Sequence, residues 1–174
     1  MALAAAFVYE REAPRDLAAE VDHMRGRMER ELAREAEGHI DIKLGHGGIT
    51  DIEFIIQYLQ IAYGARSPSI RRPDTLGALE ALREAGHLAP EDASALDEAY
   101  RFLRLVENRL RIAHAQPLHT FPETPEGMEM LARRIGYRDD EEGSSRAKLL
   151  ADYERQTQCV RAIYRKTLGE EHPK

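Results

Sequence analysis

Apolar positions along this chain recur at three and four residues, and strict alternation is nearly absent, a period that predicts helices rather than strands. The clearest run starts at Pro90. Leu96, Ala99, Leu103, Val106, Leu110 and Ala113 form its stripe, and Tyr100, Phe102 and Leu105 widen it, which predicts a helix packed on more than one neighbour. Glu91 and Asp92 suit its first turn, while Asp97 with Arg101 and Glu107 with Arg111 are spaced as i,i+4 pairs.

Four further helices follow from the same pattern. One is predicted from Pro14 to Ala36, with Leu17, Val21, Met24, Met28 and Leu32 inward, charged residues such as Arg30 and Arg34 outward, and Gly38 past its end. A short one follows Asp74 as N-cap, with Leu76, Leu79 and Leu82 inward and Gly86 with Leu88 at its close. Thr124-Pro125 opens another, with Met128, Leu131 and Ile135 inward and Gly136 at its end. The last runs from Ser145 to Leu168, with Leu149, Tyr153, Val160, Ile163 and Tyr164 as core and Gly169 as stop.

The stretch that organises the rest is DIKLGHGGITDIEFIIQYLQIAY, Asp41 to Tyr63. A short extended segment leads into Gly45, Gly47 and Gly48, and a nearly all-apolar helix follows, which belongs in an interior. Thr50 reads as N-cap, with Glu53 closing a capping box and Ile49 and Phe54 as a hydrophobic staple. Glu53, Gln57 and Gln60 make one polar stripe, and buried polar groups need partners. Lys43 beside the glycines and a helix N-terminus suits a phosphate, although pairing with Asp51 or Glu53 is the competing arrangement. The two acids oppose a bare anion, a conflict that a phosphate carried with magnesium would relieve. Asp51 and Glu53 diverge on a helix, so they are rejected as a two-metal pair.

The expected fold is all-α, a bundle of five to six helices with a short extended segment before the Gly-rich turn. The expected organisation is a lead-in over 1–13, one helical domain over 14–169 and a tail over 170–174. The 174 residues are 43% hydrophobic and 32% charged, with net charge −6, which argues against a nucleic-acid surface. No apolar run is long enough for a membrane helix, and MALAAAFVYERE lacks the charged start of a signal peptide, so a cytoplasmic setting is the default expectation. The lone Cys159 excludes an internal disulfide framework and reads as a small core residue. His39, His46, His87, His114 and His119 are scattered and form no metal motif. Arg66, Arg71 and Arg72 in the loop after the organising helix, and Arg109 with Asn108 on the longest helix, are candidate anion contacts.

The run IKLGHGGITDIEFIIQYLQ resembles the signature of the helical domain that follows each nucleotidyltransferase domain in the bifunctional glutamine synthetase adenylyltransferase/adenylyl-removing enzyme family. The likeness continues through TLGALEALREAGHLAPEDASALDEAYRFLRLVENRLRI and QPLHTFPETPEGMEMLARRIGY, roughly Gly38 to Tyr137, and looks more like that enzyme's second half. The resemblance implies an enzyme that transfers AMP from ATP, with magnesium, to a tyrosine of glutamine synthetase and removes it by phosphorolysis, under control of glutamine and the PII signal protein. Its catalytic carboxylates belong to a Gly-Ser…Asp-x-Asp element that this chain lacks, so the chain is expected to be catalytically inert alone and to hold no tightly bound cofactor. By position in the motif, Lys43, Gly45, Gly47, Gly48, Asp51 and Glu53 would face the nucleotide cleft of the catalytic domain, with Gln57 on the same polar stripe. His46 departs from the pattern, where arginine is common. A freestanding helical interaction module with no nucleotide role is the alternative that the residues leave open.

Overall fold

A computed structural model describes residues 9, 13–32, 39–113 and 119–169, and among these the helical period resolves into six complete α-helices. They are α1 (Leu17–Leu32), α2 (Ile49–Tyr63), α3 (Thr75–Glu84), α4 (Pro90–Ala113), α5 (Pro125–Ile135) and α6 (Ser145–Tyr164). A 3-10 turn (Pro68–Ile70) joins α2 to α3, and a π-helical turn (Arg165–Gly169) extends α6. The fold is all-α. Among the described residues the β-pairing consists of isolated bridges, and the extended segment before the glycines forms one of them, Asp41 with Thr120. Helix α2 is the centre: it packs on α1, α3, α4 and α6, and α5 closes the far side against α4 and α6.

Local signals specify most of these elements. The Asp74 side chain accepts the Gly77 amide at 2.7 Å, Thr124 Oγ1 accepts that of Gly127 at 3.1 Å, and Ser144 Oγ accepts that of Ala147 at 3.2 Å. The left-handed Gly86, φ 74°, ends α3, where the His87 amide returns to the Leu82 carbonyl at 3.0 Å and Leu88 is buried behind it. His87 stacks on Tyr63, ring centres 4.3 Å apart, and its Nε2 is 2.9 Å from Ser67 Oγ. Cys159 is half-buried against the core.

Three expectations change. Helix α1 begins at Leu17, after a turn at Pro14, and its inner face runs through Leu17, Val21, Arg25 and Met28, while Met24 and Leu32 are about half exposed. Gln60 leaves the polar stripe: it is buried and donates to the carbonyls of Ile70 and Arg72, both at 2.8 Å, pinning the loop after α2. Glu107 pairs with Arg104 at 2.7 Å and with His119 Nδ1 at 3.3 Å rather than with Arg111. The expectations for Gly38 and His114, for residues 1–8 and 10–12 of the lead-in, and for the 170–174 tail fall outside the described residues. Among the described residues no helix is long and apolar enough to cross a membrane.

Candidate functional site: the glycine corner

The corner is built from backbone upward. The Asp41 carboxylate accepts the amides of Lys43 and Leu44, each at 2.9 Å, which turns the chain out of its bridge with Thr120. The Gly45 amide returns to the Asp41 carbonyl at 2.9 Å, and the Gly48 amide to the Gly45 carbonyl at 3.0 Å. The chain then doubles back, so that Ile49 N–H meets the Ile42 carbonyl at 3.1 Å and Thr50 N–H meets that of Lys43 at 3.0 Å. The donors that a helix start leaves open are therefore taken by the extended segment. Amides that were expected to help hold a phosphate point inward instead.

The capping box between Thr50 and Glu53 does not form. The N-cap is Gly48, which has no side chain to offer, and Thr50 is buried in the second helical position. Asp51 takes the reciprocal role. Its carboxylate accepts the Gly47 amide at 2.9 Å, is bonded by Arg25 Nε, and meets Arg161 Nη1 at 3.1 Å. Arg25, fully buried, also donates to the carbonyls of Leu44 and Gly45, each at 2.9 Å. Glu29 completes the network, 3.3 Å from Arg25 and 3.4 Å from Arg161, and the Arg161 guanidinium lies 4.8 Å above the Tyr164 ring. Two arginines and two acids from α1, α2 and α6 thus balance in charge where an unpaired ion would be costly.

The glycines answer to this packing. Gly47 has φ 71°, and a Cβ there would lie 2.0 Å from the Thr157 carbonyl oxygen of α6. A Cβ on Gly48 would lie 2.8 Å from the carbonyl oxygens of Ile42 and Lys43. Gly45, Gly47, Gly48 and Asp51, which the motif position put toward a cleft, are buried and make the inner frame.

What faces outward is smaller. Lys43 is half-buried, and among the described residues its ammonium makes no ion pair, since Asp51 is held by arginines. Glu53 is half-buried and Gln57 exposed, one turn apart on the face that Thr50 begins, and the Thr50 amide bonds the Lys43 carbonyl. The deeply buried Asp51 and the outer Glu53 diverge, as helix geometry requires. His46 is exposed beside them. Partial desolvation first, then the charges of Arg161 and Arg165, push its imidazole below the ordinary histidine value, against the opposing pull of Glu29 and Asp51.

The candidate anion contacts do not gather here. Arg66, Arg71 and Arg72 follow the far end of α2, and 15 helical residues put that end about 22 Å from the corner. The Arg71 guanidinium is used within its own loop, donating to the Gly64 carbonyl at 2.9 Å and lying 4.7 Å over the Tyr9 ring. Arg66 and Arg72 are exposed. Arg109 lies on α4, half-buried, with Nε shielded and without a hydrogen-bond partner. Among the described residues no group of three His, Cys, Asp or Glu side chains is placed to hold a metal ion.

Arg25, Glu29, Asp41 and Arg161 are the contributors that sequence reasoning missed. Asp41 carried a signal, an aspartate four residues ahead of the first glycine of the turn, placed to bond backbone amides two and three residues on. Arg25 carried a weaker one, its position four residues after Val21 on the inner face.

Comparison with known proteins gives a consistent result. Residues 15–168 match the family model described as GlnD PII-uridylyltransferase. Similar curated proteins are bifunctional glutamine synthetase adenylyltransferase/adenylyl-removing enzymes. That of Stenotrophomonas maltophilia (strain K279a) is 47% identical over 116 residues, 67% of this chain and 12% of its own length. That of Streptomyces coelicolor is 38% identical over 125 residues, 72% of this chain and 12% of its own. That of Mycobacterium bovis (strain ATCC BAA-935 / AF2122/97) is 35% identical over 153 residues, 87% of this chain and 15% of its own. The chain therefore spans a small part of the length of the relatives it matches.

Proposed function

The chain belongs to the family described as GlnD PII-uridylyltransferase, and on that footing we propose that it serves as the non-catalytic helical domain of a glutamine synthetase adenylyltransferase. The domain, over residues 14–169, buttresses the nucleotide cleft of a nucleotidyltransferase domain in the same longer chain. That catalytic domain binds ATP with magnesium and exchanges AMP with a tyrosine of glutamine synthetase, and glutamine and the PII signal protein regulate the balance in the cytoplasm. Names of relatives that cover most of this chain support the reading.

Lys43 carries it. The corner binds its own backbone and acids so completely that the half-buried Lys43 keeps an ammonium without an ion pair among the described residues. Contact with a nucleotide phosphate comes from that side chain rather than from glycine amides, and the outer face of α2 meets the catalytic domain. The test is steady-state transfer by the full-length protein with Lys43→Ala. A raised KM for ATP at unchanged thermal midpoint supports the role, and wild-type kinetics remove it.

A further inference from the structure

We propose that the outer face of the C-terminal half of α4 is the surface on which the protein substrate docks, and that the matching patch on that substrate is acidic with an apolar centre. The inference rests on the reading above for the identity of the substrate, glutamine synthetase.

The pattern of α4 asks for a second neighbour that the described residues do not supply. Leu105 is 38% exposed and Ile112 75% exposed. Seven residues apart, they stand on one face of the helix about 10.5 Å from each other, with exposed Asn108 between them. Two aliphatic side chains at that spacing on a rigid helix are a ready anchor for another protein.

Charge identifies the kind of partner. The chain as a whole is at −6, yet Tyr100 to Ala113 holds four arginines and a single acid, Glu107, which is buried. Arg101 is neutralised by Asp97 at 2.7 Å and Arg104 by Glu107 at 2.7 Å. Arg109 and Arg111, on either side of Leu110 and next to Ile112, make no ion pair among the described residues, and the shielded Arg109 Nε lacks a hydrogen-bond partner. An acidic rim around an apolar centre satisfies both arginines and covers Leu105 and Ile112.

Position ties the face to the corner. Glu107 meets His119 Nδ1 at 3.3 Å, and the His119 carbonyl accepts the Ile42 amide at 2.8 Å, one residue before Lys43. Glu107 is buried on the inner side of α4, opposite Leu105 and Ile112, so the docking face and the corner stand on two sides of one rigid helix that fixes how they are placed.

The experiment uses the full-length protein carrying Leu105→Asp with Ile112→Asp, and separately Arg111→Glu. Initial rates are measured against glutamine synthetase and against ATP, with direct binding to glutamine synthetase by surface plasmon resonance. The double variant is expected to raise KM for glutamine synthetase at least tenfold and to weaken binding equally, with KM for ATP and the thermal midpoint unchanged. Arg111→Glu gives a smaller rise and flattens the salt dependence. An unchanged KM for glutamine synthetase overturns the proposal. A lowered thermal midpoint, or a parallel rise in KM for ATP, also overturns it, because the face then packs within its own chain. If the wild-type protein binds glutamine synthetase without transferring AMP, the adenylyltransferase reading falls, and loss of binding in the double variant still upholds the docking face. Absence of binding by the wild type overturns both.

Discussion

Gly47 lies so close to Thr157 that a Cβ on the glycine would stand 2.0 Å from the threonine's carbonyl oxygen. A backbone atom in the middle of α6 cannot swing aside as a side chain can. Gly47→Ala is therefore expected to destabilise the domain by more than about 3 kcal/mol, combining the cost of φ 71° with displacement of α6. Gly86 offers the control. Its φ is 74° with nothing within 4 Å, so Gly86→Ala is expected to cost only the conformational share, about 1–2 kcal/mol. Chemical denaturation of both variants checks the difference.

Asp51 and Glu53 divide frame from face. Asp51→Ala leaves Arg25 fully buried beside Arg161 without their shared carboxylate, and is expected to cost about 3–5 kcal/mol. Glu53→Ala is expected to change stability by less than about 0.5 kcal/mol, because Glu53 makes no cap. Similar losses in the two variants would show that Glu53 does hold the helix start.

Lys43→Ala in the full-length protein is expected to lower kcat/KM for ATP roughly 10- to 100-fold, the worth of one hydrogen bond to a charged group. Its thermal midpoint is expected to stay within a degree or so of the wild type. Transfer assays and calorimetry on one preparation separate the two effects.

His46 gives a dependence on pH. Burial and the neighbouring arginines hold its folded-state pKa below the unfolded value of about 6.5. Between those two values the unfolded chain carries more of the proton, so the His46 contribution makes stability rise with pH, reaching its full value above about 6.5. Lowering the pH through that window is expected to erode stability, and His46→Gln is expected to flatten this part of the profile. Denaturation midpoints of both proteins from pH 5 to 8 check it, and identical slopes would remove the effect from His46.

Much of the fold was legible because its signals are local. Asp74, Thr124, Pro90, Gly86 and Gly136 mark helix ends by bonding within a few residues, and α3 to α6 begin and stop close to where these residues say. The errors fall where local and distant partners compete. Thr50 and Glu53 have the spacing of a capping box, but the Lys43 carbonyl takes the Thr50 amide that Glu53 would have accepted, and the helix starts earlier, after Gly48. Arg25 looks like surface charge on an amphipathic helix, and its burial depends on an acid 26 residues away. Glu107 had Arg111 one turn along, yet it pairs one turn back with Arg104 and across the fold with His119. In the candidate site, residue types and their neighbourhood were readable, whereas which of them turn inward was decided by α1 and α6, remote in sequence.

The corner's shape is held by Asp51, Arg25 and close-packed glycines, while Lys43, His46 and Glu53 decorate it from outside. Heredity can thus edit the two layers on separate terms: a change among the inner residues risks the whole domain, whereas a swap at position 46 leaves the scaffold intact and resets only what the corner offers to its surroundings. The outer positions can therefore change the corner's charge and its response to acidity without calling for a new scaffold.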